Sequence, residues 1–329
     1  MCRHLAWLGA ERTLAELVVD RPFGLLRQSW APRRQRNGRL NADGFGLGWY
    51  APSARPEPAR YRRAVPMWTD ASFASFAGVV TSGCVLAAVR SATVGMPIEE
   101  TSTAPFTHAG LLLSHNGRVD VDLPLALLAE RPQGPPPDSR CDSALLAALV
   151  WERADAGVDL AAAVAEVVTL VGSRAAARED ARYAGVPEAE RPSSTRLNLL
   201  VTDGRRIVAT TWNETLWYRV TPAGVLVASE PDDDAPTVPA PRQSSRPAPE
   251  SPAAGPPSAG SVPPGRGPAA PPDGTERSGV LTAATATQAG ADVATRTDTV
   301  VGSDVWVEVP NHRLLVADTR EVTLSNLIS

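Results

Sequence analysis

Apolar and polar positions alternate loosely over residues 2–9, which predicts an opening β-strand, and Leu14–Val19 before Pro22 reads as a short connecting element. In Asn41–Tyr50 glycines at 44, 46 and 48 alternate with Phe45, Leu47 and Trp49. That is a strand period with one face stripped of side chains, so that another backbone can come close. A phosphate-cradling loop would instead need its glycines at a strand-to-helix turn. Residues 51–64 read as a Pro- and Arg-rich loop or edge, and Ser72–Phe76 as a helical turn. Val85–Val89 is an apolar strand that ends in Arg90, and Leu111–Leu113 begins a second one that runs into His115-Asn116-Gly117. Ala144–Arg153, opened by Asp142, predicts a helix, a second runs from about Asp159 to Leu170, and residues 182–193 read as loop. Arg196–Thr202, a two-residue Asp203-Gly204 turn and Arg206–Trp212 predict a hairpin. Leu216–Val220 and Val225–Ala228 continue it as a meander, and two short strands at 305–310 and 313–318 complete the sheets.

Composition narrows the classes. The 329 residues are 43% hydrophobic, enough for one large or two small domains, and the net charge is −4. All 32 basic residues are arginine. Five of them (Arg27, Arg33, Arg34, Arg36 and Arg39) surround Trp30, a cluster that reads as a solvated, mobile arm more than as a nucleic-acid surface, because the chain as a whole is acidic. Cys2, Cys84 and Cys141 have no CxxC spacing, so neither a disulfide framework nor a zinc site is expected, and a reducing cytoplasm fits. No signal core and no apolar run of membrane-spanning length is read, so no membrane partner is expected. Residues 235–302 differ in character: 13 of the 31 prolines lie between 236 and 272, and no aromatic residue occurs between Tyr218 and Trp306. A stretch that buries so little cannot offset its ordering entropy and is expected to be a disordered Pro/Ala/Gly-rich insert.

Four places carry candidate chemistry. Cys2 follows Met1 directly, and removal of Met1 would leave a thiol nucleophile and an α-amine base of pKa about 7.7–8.0 on one residue. The alternative is a small buried residue opening a strand. Arg90 needs an anionic partner if buried, from inside the protein or from a ligand carboxylate. Asn116-Gly117 is either a plain turn or a strand end where a side-chain amide and a backbone N–H meet an oxyanion. Asp142 is either a first-turn acid that serves its helix or something more.

Cys2 near the N-terminus, Arg90-Ser-Ala-Thr93-Val-Gly, His115-Asn116-Gly117 and Cys141-Asp142-Ser143 resemble, in order and spacing, the motifs of class II glutamine amidotransferase domains, which are N-terminal nucleophile hydrolases. Met1–Gly9, Asn41–Tyr50, Arg90–Pro97, Ala104–His108 and Ser229–Asp234 are similar, more closely, to the γ-glutamyl hercynylcysteine S-oxide hydrolases of ergothioneine biosynthesis. The resemblance covers residues 2–234 and 303–329 as one catalytic domain. It implies an α+β fold, a four-layer α/β/β/α sandwich of antiparallel sheets. It also implies Cys2 as nucleophile, Asn116 and Gly117 as oxyanion hole, Arg90 for the substrate α-carboxylate, Asp142 for its α-ammonium, and Thr93 in the same binding segment. No metal or cofactor is implied. Val94 departs from the pattern, since amidotransferases that feed a synthase usually carry His there.

The chain is too short, once the insert is subtracted, for a synthase domain, so a free-standing hydrolase of a small γ-glutamyl substrate is the expectation. The rivals are a generic glutaminase or other γ-glutamyl amide hydrolase, and a catalytically silent binding module. Trp7, Trp30 and Trp49 lie nearest Cys2 in sequence and are read either as core or as aromatic faces for a quaternary ammonium in the leaving group.

Overall fold

The structure, a computed structural model, describes residues 2–36, 38–131, 134–187, 190–191, 195–240, 298–301 (backbone only) and 304–327. Its frame is β1 (Arg3–Thr13), which pairs antiparallel on one side with β4 (Thr81–Val89) and on the other with β10 (Gly224–Ala228). Beyond β4 lie β2 (Phe45–Trp49) and β3 (Ala59–Arg63). Beyond β10 lie β9 (Trp217–Thr221), β13 (Trp306–Glu308) and β11 (Thr237–Val238), which completes an eight-stranded sheet. The second sheet orders β12 (Asp298–Val301), β15 (Glu321–Asn326), β14 (Arg313–Ala317), β8 (Ile207–Thr210), β7 (Arg196–Thr202), β6 (Leu111–Arg118) and β5 (Phe106–His108).

Strand alternation builds the layers. Leu5 and Trp7 of β1 point outward with Val85, Ala87 and Val89 of β4, under α1 (Leu14–Val18), α2 (Leu25–Gln28) and α3 (Ala71–Ala77). Ala6 and Leu8 point the other way, into a core shared with Leu112, Leu200, Ile207 and Leu315 of the second sheet. On the far side of that sheet Leu113, Leu197, Leu199 and Val208 pack under α4 (Asp122–Ala129), α5 (Asp142–Asp155) and α6 (Leu160–Arg182). The result is the expected α/β/β/α sandwich. Burial on both faces explains why β4 reads as an unbroken apolar run from Cys84 to Val89.

The glycine stripe of β2 is a close-approach face. A Cβ on Gly46 would lie 2.3 Å from the backbone oxygen of Ala104, and one on Gly48 would lie 2.6 Å from the Leu112 side chain. Leu14–Val18 is a helix, not a mere connection, because Thr13 and Glu16 form a reciprocal capping box.

Several expectations change. The second large helix is 23 residues long and ends at Arg182, not near Leu170. Gly172 does not stop it: the glycine admits the ring of Trp212, 2.5 Å from where a Cβ would be, and the following Ala and Arg residues favour helix. This helix is long and apolar enough to cross a membrane, contrary to the expectation of no such run, yet Val164, Val167, Val168 and Val171 are sealed in the core. The β7–β8 connection spans residues 203–206, since Thr202 pairs with Ile207, and the Asp203 carboxylate accepts the N–H groups of Arg205 and Arg206. β9 and β10 do not continue that meander but belong to the other sheet. The arginine arm is fastened: Glu230 accepts the backbone N–H groups of Arg33 and Arg34, and the Arg34 guanidinium lies over Trp217. Of the expected insert, residues 241–297 and 302 lie outside the described residues. Its two ends are strands: β11 pairs parallel with β13, and β12 pairs antiparallel with β15.

The two stripe glycines differ in what they face, a backbone atom against a flexible side-chain tip. Gly46→Ala should therefore cost about 1–3 kcal/mol and visibly lower Tm, while Gly48→Ala should cost less because Leu112 can rotate. Equal losses by thermal denaturation would contradict this account of the stripe.

Candidate active site

A narrow cleft of about 10 Å³, room for roughly one water, opens where the two sheets meet. Cys2 and Arg90 line it from the first sheet, and Ser114, His115 and Ser143 from the second sheet and α5. Cys2 is half-buried, and its carbonyl accepts from Nε of Arg3 at 2.8 Å. Arg3 in turn meets Glu214 at 3.1 Å, both side chains fully buried, and the other Glu214 oxygen lies 3.9 Å from Arg196. The residue after Cys2 is thus locked by charge to the loop between β8 and β9.

Arg90 sits where β4 ends. Its backbone N–H and C=O are taken by Gly44 and Asp43, and the Asp43 carboxylate accepts from Ala92, so the turn is rigid. One guanidinium nitrogen, Nη1, is buried with no hydrogen-bond partner among the described residues. Of the two readings of Arg90, this favours the ligand carboxylate, because a buried unpaired cationic donor is costly until an anion reaches it.

Asp142 is the first residue of α5, with Cys141 as N-cap. Its carboxylate accepts the N–H of Val119 at 3.0 Å and of Ser143 at 2.8 Å, which leaves lone pairs for a cation. His115 stands beside it, 4.0 Å away, and burial pushes its ring pKa down against the pull of Asp142. Nε2 faces the Arg196 carbonyl at 3.2 Å and Nδ1 faces Ser143 Oγ at 3.0 Å. A neutral ring satisfies both when Nε2–H donates to the carbonyl and Nδ1 accepts the hydroxyl proton.

Asn116 and Gly117 follow on β6 and do not line the Cys2 cleft themselves. Asn116 is fully buried, and its Nδ2 donates to Ser229 Oγ at 3.3 Å. Ser229 Oγ also accepts the N–H of His4 at 3.0 Å, which ties Asn116 to the strand that carries Cys2. Gly117 is obligatory, since a Cβ would fall 2.0 Å from the Arg196 oxygen. Thr93 lines a different cavity, of about 360 Å³, with Val94, Arg118 and Val119. Val94 is fully exposed.

The structure therefore brings Cys2, Arg90 and the Asp142–Ser143 end of α5 together, links Asn116 to them through Ser229, and leaves Thr93 in a different cavity. Trp7 is buried in the outer core and the partly buried Trp49 packs against that core, and neither lines the Cys2 cleft. Trp30 meets the partly exposed Trp68 edge to face at 5.8 Å. Among the described residues no cluster of three or more His, Cys, Asp or Glu could hold a metal. Glu214 and Ser229 were missed by sequence reasoning. Ser229 opens the Ser229–Asp234 run that carries part of the resemblance, but nothing in the Asn213-Glu214-Thr215 turn marks a buried ion pair.

His4, wholly buried, has its pKa lowered from 6.5 to about 3, by burial first and then by Arg3. Both His4 and His115 are lowered, so below pH 6.5 the unfolded chain binds protons that the folded one refuses. Their stability contribution is full above pH 6.5 and is lost as pH falls toward the folded values. Urea unfolding at pH 7, 6 and 5 should show a loss of up to about 1.4 kcal/mol per pH unit for each histidine, and His4→Gln should flatten the slope. A flat profile above pH 5 in the wild type would contradict these two shifts.

No family model matches the chain. The γ-glutamyl-hercynylcysteine sulfoxide hydrolase of Mycolicibacterium smegmatis is 48% identical over 238 residues, 72% of this chain and 90% of that protein. The protein of the same name from Mycobacterium tuberculosis is 46% identical over 234 residues, 71% of this chain and 86% of that one. Among solved structures, a glutamine aminotransferase class-II domain protein from Silicibacter pomeroyi aligns over 99% of both chains with a TM-score of 0.49 and 18% identity. Close to half of all positions agree across nearly the whole length of the first relative, and the chain belongs to the γ-glutamyl-hercynylcysteine sulfoxide hydrolase family.

Proposed function

We propose that the protein hydrolyses the γ-glutamyl amide bond of γ-glutamyl hercynylcysteine S-oxide, releasing glutamate and hercynylcysteine S-oxide in ergothioneine biosynthesis. The observation that carries this is 48% identity over 90% of the length of a protein with that name. In this reading the enzyme works in the cytoplasm, where the three cysteines stay reduced.

The steps follow from the residues. Loss of Met1 frees the α-amine of Cys2, which takes the thiol proton, directly or through a water. The thiolate attacks the γ-carbonyl carbon, and the oxyanion is met by Asn116 Nδ2 and the N–H of Gly117. The C–N bond breaks, the leaving amine takes the proton, and water then cleaves the thioester to free glutamate and the thiol. Arg90 receives the α-carboxylate, for which its unpaired buried Nη1 is fitted. Asp142 receives the α-ammonium on the lone pairs that Val119 and Ser143 leave free. Thr93 belongs to the same binding segment as Arg90.

The test has two parts. Intact mass should show loss of Met1, and because the chain contains no lysine, the α-amine of Cys2 is then its one primary amine and can be titrated alone. Cys2→Ala should abolish turnover with Tm unchanged, and Asn116→Ala should lower kcat by about 10² to 10³. Full activity in a protein that keeps Met1 would remove the mechanism. For the substrate, kcat/KM on γ-glutamyl hercynylcysteine S-oxide should exceed that on glutamine by at least about 10²-fold. Equal values would instead mean a generic glutaminase.

A further inference from the structure

Ser229 follows the last residue of β10 and is fully buried. Its backbone N–H donates to the carbonyl of His4 at 2.9 Å, and its Oγ accepts the N–H of His4 at 3.0 Å. This double tie extends the β1–β10 ladder, in which Leu5 faces Ala228, by one residue toward Cys2. Two further contacts hold the strand end. The Ser229 carbonyl accepts from Thr215 Oγ1 at 2.9 Å, and the next residue, Glu230, grips the backbone of Arg33 and Arg34. The hydroxyl oxygen is therefore fixed relative to the nucleophile's own strand.

Asn116 comes from the opposite sheet. Its Nδ2 donates to this fixed oxygen at 3.3 Å, while its Oδ1 has no hydrogen-bond partner among the described residues. A side-chain amide turns about its last torsion over a broad range, and its two ends are nearly the same shape. With one N–H held on Ser229, the second N–H points about 120° away in the amide plane, available to an oxyanion. With that hold removed, nothing among the described residues sets which end of the amide faces the reacting carbon.

We propose that Ser229 is a positioning residue that selects and holds the amide orientation of Asn116, and so registers the oxyanion hole against the strand that carries Cys2. The inference rests on the reading of Asn116 as the oxyanion donor. Ser229 does not line the Cys2 cleft, so its removal should act on the transition state through Asn116 and leave ground-state binding alone.

A double-mutant cycle on the full chain tests this. Ser229→Ala should lower kcat about 10-fold, a part of the loss expected for the missing donor, and keep KM within about twofold. The Ser229→Ala/Asn116→Ala double variant should be no slower than Asn116→Ala alone, because the serine has nothing left to position. Ser229→Cys keeps a weaker acceptor in the same place, should lose less than alanine, and carries the same cycle if the alanine variant does not fold by Tm and circular dichroism. A kcat near wild type in Ser229→Ala, or a double variant whose loss is the product of the two single losses, overturns the proposal. A wild-type protein inert toward γ-glutamyl amides would fail the reading of the activity instead, and an unaffected Asn116→Ala would overturn both.

Discussion

The buried pair of Arg3 and Glu214 constrains everything around the first residues of the chain. Taking two charges fully out of water costs several kcal/mol per ion and is recovered only while their geometry is kept. The pair joins β1 to the loop between β8 and β9, and so joins one sheet to the other at the end where Cys2 lies. Arg3 spends a further donor on the Cys2 carbonyl, so the residue that carries the thiol inherits the rigidity of the pair. Arg196 stands on the other side of Glu214, and its carbonyl fixes the His115 ring that orients Ser143. A displacement of Glu214 would be felt on both walls of the cleft.

The cleft is polar without being promiscuous. Burial holds the ring pKa of His4 and of His115 down, and of the nearby charged side chains Arg90 lines the cleft while Asp142 stands behind His115 and Ser143. An α-amino acid carries the complementary pair on a single carbon. In the proposed reading a glutamyl group would meet both charges at a set spacing, and a misplaced one would stay buried and unpaired.

Much of this was legible in the chain. The glycine stripe at 44–48 announced a close approach, which is the backbone at Ala104, and the apolar run before Arg90 announced a buried cation. Asp142 was recognisable as a helix-start acid, though not that Val119 would share it. What stayed hidden depended on partners far away in sequence. Glu214 sits in an ordinary polar turn and matters only because Arg3 reaches it across 211 positions. In sequence the second large helix reads as ending near Leu170, and the Trp212 ring that packs on Gly172 beyond that point comes from another element. The crossing of β9 and β10 to the other sheet left no local mark, since either sheet would accept the same alternation.

The four sheet edges bear on how copies of the chain treat one another. An unpaired strand edge offers a row of free N–H and C=O groups to any other chain. Two edges are blunt on their own: β3 carries Arg60, Arg62 and Arg63 in five residues, and β5 is three residues long. The other two end in β11 and β12, the strands that flank the proline-rich stretch. The chain leaves one sheet by capping it and re-enters the other by capping that. Without those caps, β15 would present six residues of open ladder with Val322 and Leu324 beside it. The short strands at either end of the stretch therefore reduce those two edges to two and four residues, shorter rows for a second copy to pair with.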